Sequence, residues 1–165
     1  MNTEKIRTTD PAKPPSAVHF LGNLLTFRAR AAQTDGKFSV AECITAPGAG
    51  SPYHAQQDEE SFLIQEGNVE FIIDGKAILL GPQEFIYIKP GTPHLFRNIG
   101  ETPAKMLIIN MPGGFHEAFF DAVGEPVSGE TAQFPPQTDP DFAFIAEAAI
   151  RNGIALLPPP RSNDH

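Results

Sequence analysis

Residues 48–67 read GAGSPYHAQQDEESFLIQEG, and the spacing of their polar side chains decides the fold. His54, Gln56 and Glu60 are separated by even numbers of residues. Alternate side chains of an extended chain share a face, so all three point the same way when the turn between them keeps parity. Glu66-Gly67-Asn68 then offers a short hairpin corner. A second stretch, Pro90-Gly91-Thr92-Pro93-His94 with Asn98 beyond it, is again a turn followed by a strand. There His94, Phe96 and Asn98 share a face. If the two strands are neighbours, His54 and His94 lie within roughly 10 Å and converge with Glu60 in the interior. Two imidazoles and a carboxylate can bind a divalent metal and leave positions open for substrate.

The flanking sequence supplies the rest of such a sheet structure. Seventeen prolines and fourteen glycines divide short runs of Phe, Ile, Val and Leu. Strands are expected near Val18–Ala31, Phe38–Ala46, Ser61–Gln65, Val69–Ile73, Ala77–Leu80, Phe85–Ile88, His94–Asn98 and Ala104–Asn110. Asp74-Gly75 suits the positive-φ positions of a type I′ hairpin. Gly81-Pro82, Lys89-Pro90-Gly91 and Gly100 mark other corners. The connections are too short for helical crossovers, so the sheet is antiparallel and the fold mainly all-β, a sandwich or barrel. After Pro112 the period changes. Phe115, Ala118, Phe119, Ala122 and Val123 predict one helical face, with Gly124 as its stop. A Pro/Gly/Ser/Thr linker leads to a second helix from Asp139-Pro140, whose apolar face is Phe142, Ile145, Ala146, Ala149 and Ile150. The expected organisation is a flexible arm over 1–17, a barrel over 18–111, a helical extension over 112–157 and a tail over 158–165.

The two quoted stretches resemble the signature motifs of the cupin family. The usual first motif reads G, five residues, H-x-H, three or four residues, E, six residues, G. Here Gly48, His54, Glu60 and Gly67 fit every spacing. Gln56 stands where the family has its second histidine. The usual second motif reads G, five residues, P-x-G, two residues, H, three residues, N. Gly91, His94 and Asn98 match it, whereas Gln83 and Lys89 replace the first Gly and the Pro. The lead-in from Thr34 to His54 and the Pro112–Phe120 segment resemble single-domain cupins similar to quercetin dioxygenase. The resemblance implies a cupin-type antiparallel β-barrel, a double-stranded β-helix or jelly roll, with C-terminal helices. It implies His54, Gln56, Glu60 and His94 as the metal set, Gln56 being a weak ligand or a group that orients Glu60, and Glu60 as the group that also moves protons. The metal is a divalent ion such as Fe, Ni, Mn or Zn, held less tightly than by three histidines and a glutamate.

On the parity that places Glu60 inside, Phe62 and Ile64 also face inward, and Phe96 follows from His94. Phe71, Ile73, Tyr87, Met106 and Ile108 are further candidates for the pocket wall. An apolar pocket of this kind suits a small aromatic or partly apolar compound, and no Lys or Arg is placed to hold a phosphate. Asp58 and Glu59 read as a solvated acidic edge. His19, His116 and His165 have no motif around them and read as surface or structural. Asn98 reads as a strand-end hydrogen-bonder.

Composition narrows the function classes. A net charge of -8 argues against nucleic acid and anionic membrane as partners, since both need a basic patch. No apolar run reaches the roughly 18 residues of a membrane span, and Met1 to Ser16 lacks the apolar segment of a signal peptide. The lone Cys43 has no intrachain disulfide partner and reads as a buried hydrophobe. These features give a cytoplasmic expectation. A homodimer is expected, because apolar sheet faces need cover. Three functions remain open: a non-haem metal-dependent dioxygenase, a non-catalytic small-molecule-binding module, and a metal-dependent isomerase or lyase.

Overall fold

The computed structural model describes residues 17–127 and 133–161. Of the expected arm and tail, residues 1–16 and 162–165, with His165, lie outside the described residues, as does part of the linker. Twelve strands and two helices are described: β1 Ala17–Phe20, β2 Asn23–Ala29, β3 Ser39–Thr45, β4 His54–Gln56, β5 Glu59–Glu66, β6 Val69–Ile73, β7 Lys76–Leu80, β8 Phe85–Ile88, β9 His94–Asn98, β10 Ala104–Met111, α1 Phe115–Val123, β11 Glu125–Val127, α2 Phe142–Arg151 and β12 Ile154–Leu156. They form a seven-stranded sheet, β11-β1-β2-β3-β10-β5-β8, and a five-stranded sheet, β12-β4-β9-β6-β7. Every pairing is antiparallel. The cupin-type architecture is therefore present in its jelly-roll form. Among the described residues no ladder joins the two sheets into a closed barrel.

Turn chemistry explains the strand boundaries. Asp74 and Gly75 both take positive φ, 48° and 76°, as the hairpin between β6 and β7 requires. The expected single strand from Val18 is cut in two, because Leu21 and Gly22 also take positive φ. The Gly22 N–H donates to His19 Nε2 at 3.1 Å and fixes that corner. Gln83 adopts a φ of 71°, so it keeps the left-handed turn at a position where glycine is the cheaper residue.

The space between the sheets is filled from both inner faces. Phe62 from one sheet meets Phe71 and Phe96 from the other, with ring centroids 4.9 and 5.7 Å apart. All three rings are buried, and removing one such ring typically costs about 3–5 kcal/mol.

The C-terminal segment adds two strands to the expected two helices and linker. It contributes β11 to the edge of one sheet beside β1. It also contributes β12 to the other sheet, where Leu156 pairs with His54 and Ile154 with Gln56. Both helices turn inward a face that overlaps the expected one, sharing Phe119 and Val123 in α1 and Ile145 and Ala149 in α2, but is rotated from it. In α1 the buried residues are His116, Glu117 and Phe119, whereas Ala118 and Ala122 are exposed. Glu117 Oε1 accepts the Ala31 N–H at 2.7 Å, which accounts for its burial. Helix α2 is capped by Asp141, whose side chain accepts the Phe144 N–H at 3.0 Å. It buries Ile145, Ala148 and Ala149. Phe142 and Ile150, 63% and 74% exposed, stay outside, because only a narrow stripe of α2 meets α1 and β12. None of the described helices is long and apolar enough to cross a membrane.

Candidate metal centre

His54 and His94 are direct cross-strand partners on β4 and β9, with ring centroids 4.3 Å apart. Glu60 comes from β5 in the opposite sheet. The sandwich brings these three buried side chains together so that one ligand atom from each lies within 4.8 Å of the others. Sequence parity alone did not do this, since the turn after Gln56 passes the chain from one sheet to the other.

Backbone carbonyls orient both imidazoles. His54 Nδ1 lies 2.8 Å from Pro52 O, and His94 Nδ1 lies 2.8 Å from Thr92 O. Each Nδ1–H is thereby committed outward, which leaves Nε2 facing the centre, the arrangement usual for metal-ligating histidines. Burial and then the neighbouring His94 push the His54 imidazole down to about 4, against the pull of Glu60 and the Pro52 carbonyl. His54 is therefore neutral at pH 7 and presents a lone pair.

Glu60 is 3% exposed. Burial pushes its carboxyl up, but the His116 charge and the hydrogen bond and charge of His94 outweigh this and hold it down at about 2. One oxygen, Oε2, lies 2.8 Å from His94 Nε2. The other, Oε1, accepts from Asn110 Nδ2 at 3.2 Å.

Gln56 shares the inner face and is buried. Its Oε1 lies 3.1 Å from His54 Nε2, and among the described residues its Nε2 has no hydrogen-bond partner. The amide does not hold Glu60; Asn110 takes that position. Turned over in place, the amide sets its NH2 on the His54 lone pair, so this contact is satisfied as a hydrogen bond without any ion. The anionic carboxylate and the two oriented Nε2 atoms fit a divalent cation.

Two further residues, read from sequence as peripheral, belong to this site. His116 is 4% exposed and Asp58 is 1% exposed. Their side chains meet at 2.9 Å, Nδ1 to Oδ2, and His116 Nε2 lies 3.6 Å from Glu60 Oε1. Asp58 is thus no solvated edge. It is buried with a partner, as a buried carboxylate must be. Burial pulls the His116 imidazole down, but the Glu60 charge and the bond to Asp58 outweigh it and raise it. The legible signal was the spacing His116, Phe119, Phe120, Val123, at i, i+3, i+4 and i+7. A search for purely apolar periodicity passes over it because its first member is polar. His19 is a buried structural histidine. Asn98 bonds the Thr45 and Thr102 carbonyls at 3.0 and 2.8 Å, as a strand-end residue does.

A cavity opens onto the centre, with about 600 Å³ of space between atoms including its solvent-open mouth. The centre of a water molecule has about 60 Å³ of it in which to move, room for on the order of four or five waters. His54, Glu60 and His116 line it together with Phe20, Leu25, Phe62, Phe96, Ile108, Phe119 and Phe120. Among the described residues no Lys or Arg lines it. Ile64, Phe71 and Met106 lie deeper, wholly buried in the core, and do not reach this cavity. Tyr87 is 45% exposed. Its pairing with Ser61, while Ile88 pairs with Glu60, turns it to the outer face, so it is no pocket residue. Cys43 sits in the cavity wall, and burial, with the Glu60 charge, pushes its thiol up to about 12.

Known proteins share this arrangement of strands. The family model described as "Cupin domain" matches residues 41–110. An uncharacterized protein of Methanocaldococcus jannaschii is 35% identical over 82 residues, 49% of this chain and 66% of that one. Quercetin 2,3-dioxygenase of Bacillus subtilis is 33% identical over 105 residues, 63% of this chain and 31% of the enzyme. The match thus spans just under two thirds of one relative and about a third of the other. A crystal structure described as a predicted oxalate decarboxylase from Thermotoga maritima superposes with a TM-score of 0.57 at 16% identity, over 60% of this chain and 94% of that chain. At that identity the likeness is one of fold.

Proposed function

Because this chain belongs to the cupin superfamily, we propose that it is a divalent-metal oxidoreductase of dioxygenase type acting on a small aromatic or partly apolar compound. The observation that carries this reading is an open set of two histidines and one carboxylate facing an apolar, phenylalanine-lined cavity. Such a set with free positions is the ligand pattern of non-haem iron oxygenases. A bound ion of this class supplies a meeting point for dioxygen and a substrate oxygen.

The chain's own residues would do the rest. His54 and His94 hold the ion through Nε2. Glu60 contributes the negative charge, and its Oε1 can take a substrate proton. The phenylalanines hold a flat apolar ring and exclude water. The lack of a cationic wall disfavours sugar phosphates and small dianions. Fe, Ni, Mn and Zn are the candidate ions, and the cytoplasm is the proposed compartment, on the strength of the single buried thiol.

Elemental analysis of protein purified without a metal-affinity tag, followed by oxygen uptake with a panel of phenols and enols, tests the reading. Metal-dependent oxygen uptake is expected. Turnover without oxygen would establish an isomerase or lyase instead. Ligand binding by chelator-treated protein with no turnover would establish a binding module, a reading that the uncharged Gln56 favours. Gln56→His should tighten zinc or nickel binding by about tenfold or more, since imidazole is the better donor and tenfold is about 1.4 kcal/mol. Unchanged affinity in calorimetry would show that Gln56 does not face the ion.

A homodimer is proposed as well. Phe85 and Tyr87 stand exposed on the outer face of the seven-stranded sheet, beside Leu63 and Leu107 in register. Light scattering is expected to give twice the chain mass, and a monomer at micromolar concentration would refute the pairing.

A further inference from the structure

The two signature stretches place two imidazoles at the centre, and an amide stands at the third position. A third imidazole nevertheless faces the same carboxylate from a different element. His116 enters from α1, in the segment that follows Gly113 and Gly114, and it lines the cavity beside His54 and Glu60.

All three imidazoles share one arrangement. The Nδ1 of His54 is held by Pro52 O at 2.8 Å, that of His94 by Thr92 O at 2.8 Å, and that of His116 by Asp58 Oδ2 at 2.9 Å. A carboxylate behind a histidine is a recurrent support of metal ligands, because it fixes the ring and makes the other nitrogen more basic. With Nδ1 occupied, Nε2 of His94 and of His116 address the two oxygens of one carboxylate, at 2.8 Å to Oε2 and 3.6 Å to Oε1. Asp58 is buried, and among the described residues its second oxygen has no hydrogen-bond partner. A buried anion left half-satisfied is expensive unless further positive charge is close.

We propose that His116 is the third imidazole ligand of the metal centre, oriented by Asp58 and carried in by helix α1. The proposal rests on the reading of His54, Glu60 and His94 as metal ligands. His116 stands outside the set that lies within 4.8 Å, so ligation draws the start of α1 inward. Gly114, at a φ of 112°, gives the chain a non-helical joint at that point. Phe119 and Phe120 of the same helix pack on Phe20, with centroids 5.5 and 5.7 Å apart, and wall the cavity. Loading the metal therefore also fixes the wall against which a ligand sits.

The test uses the full chain, stripped with chelator and titrated with Co(II). Proton NMR of the cobalt form counts hyperfine-shifted, exchangeable imidazole N–H signals, one per ligating histidine. Three are expected, and one of the three should vanish in His116→Gln, with cobalt affinity reduced roughly tenfold or more. Amide hydrogen exchange across 115–123 should slow on cobalt addition in the wild type and not in the variant. Two signals in the wild type would overturn the proposal without touching the two-histidine centre, and the count needs no variant to fold. If His94→Ala also leaves cobalt binding unchanged, the metal reading falls and this inference with it.

Discussion

His94→Ala is expected to abolish measurable metal binding and to destabilise the metal-free protein. His94 is wholly buried, and its Nε2 lies 2.8 Å from Glu60 Oε2. Alanine removes one of two oriented imidazoles, so affinity should fall by more than the roughly 10–100-fold typical of losing an outer partner. It also leaves an ionised carboxylate short of a partner, a change that costs about 3–5 kcal/mol in a fully buried pair. Asn110 and His116 remain on the other oxygen, which places the cost near the lower end. The pH dependence has a definite sign. Glu60 is held at about 2 in the folded chain, below the usual glutamate value of about 4.3. Its contribution is present above pH ~4.3 and is lost as pH falls toward 2. The variant should lose a smaller increment over that window. Calorimetric titration and urea melts at pH 7 and pH 3 read both effects. Unchanged metal affinity would show that this centre does not bind metal.

Gly50→Ala is expected to be as damaging, although it removes no ligand. Gly50 forms an isolated bridge to Arg97 of β9, and its own carbonyl accepts from Asn23 Nδ2 at 2.9 Å. A Cβ on Gly50 would lie 1.9 Å from Phe96 O and 2.9 Å from Arg97 Cα. Both are backbone atoms, so β9 itself must move. That strand carries His94 to the centre and Phe96 to the aromatic cluster. Overpacking of this kind costs about 3 kcal/mol or more, which is about 6–12 °C in melting temperature for a chain of this length. Metal affinity should fall with it. Gly75→Ala is the control. Among the described residues no atom beyond its chain neighbours lies within 4 Å of its Cβ, and only the φ of 76° resists the change. It should cost about 1 kcal/mol and leave metal binding intact. Equal melting temperatures for Gly50→Ala and the wild type would refute the close-approach argument.

The sequence by itself determined the strands around the centre, the antiparallel sheets and the identity of His54, Glu60 and His94. Turn residues and period-two alternation act over a few residues, so they can be read from a few residues. The spacing from Gly48 to Gly67 and the Pro90–His94 turn fix where each of these three side chains leaves the backbone. Tertiary structure alone decided what surrounds them. Tyr87 went outward because the register of β8 on β5 is a cross-strand property, and one residue of slip inverts every side chain. Asp58 and His116 are 58 residues apart, so no local pattern links them. Their burial follows from α1 docking over the cavity, where each charge finds its partner. The apolar face expected for α1 held at Phe119 and Val123 but missed at Ala118 and Ala122 for the same reason. A helix buries whichever side meets the rest of the fold, and here that side carries a histidine whose two partners, Asp58 and Glu60, lie on a distant stretch of chain.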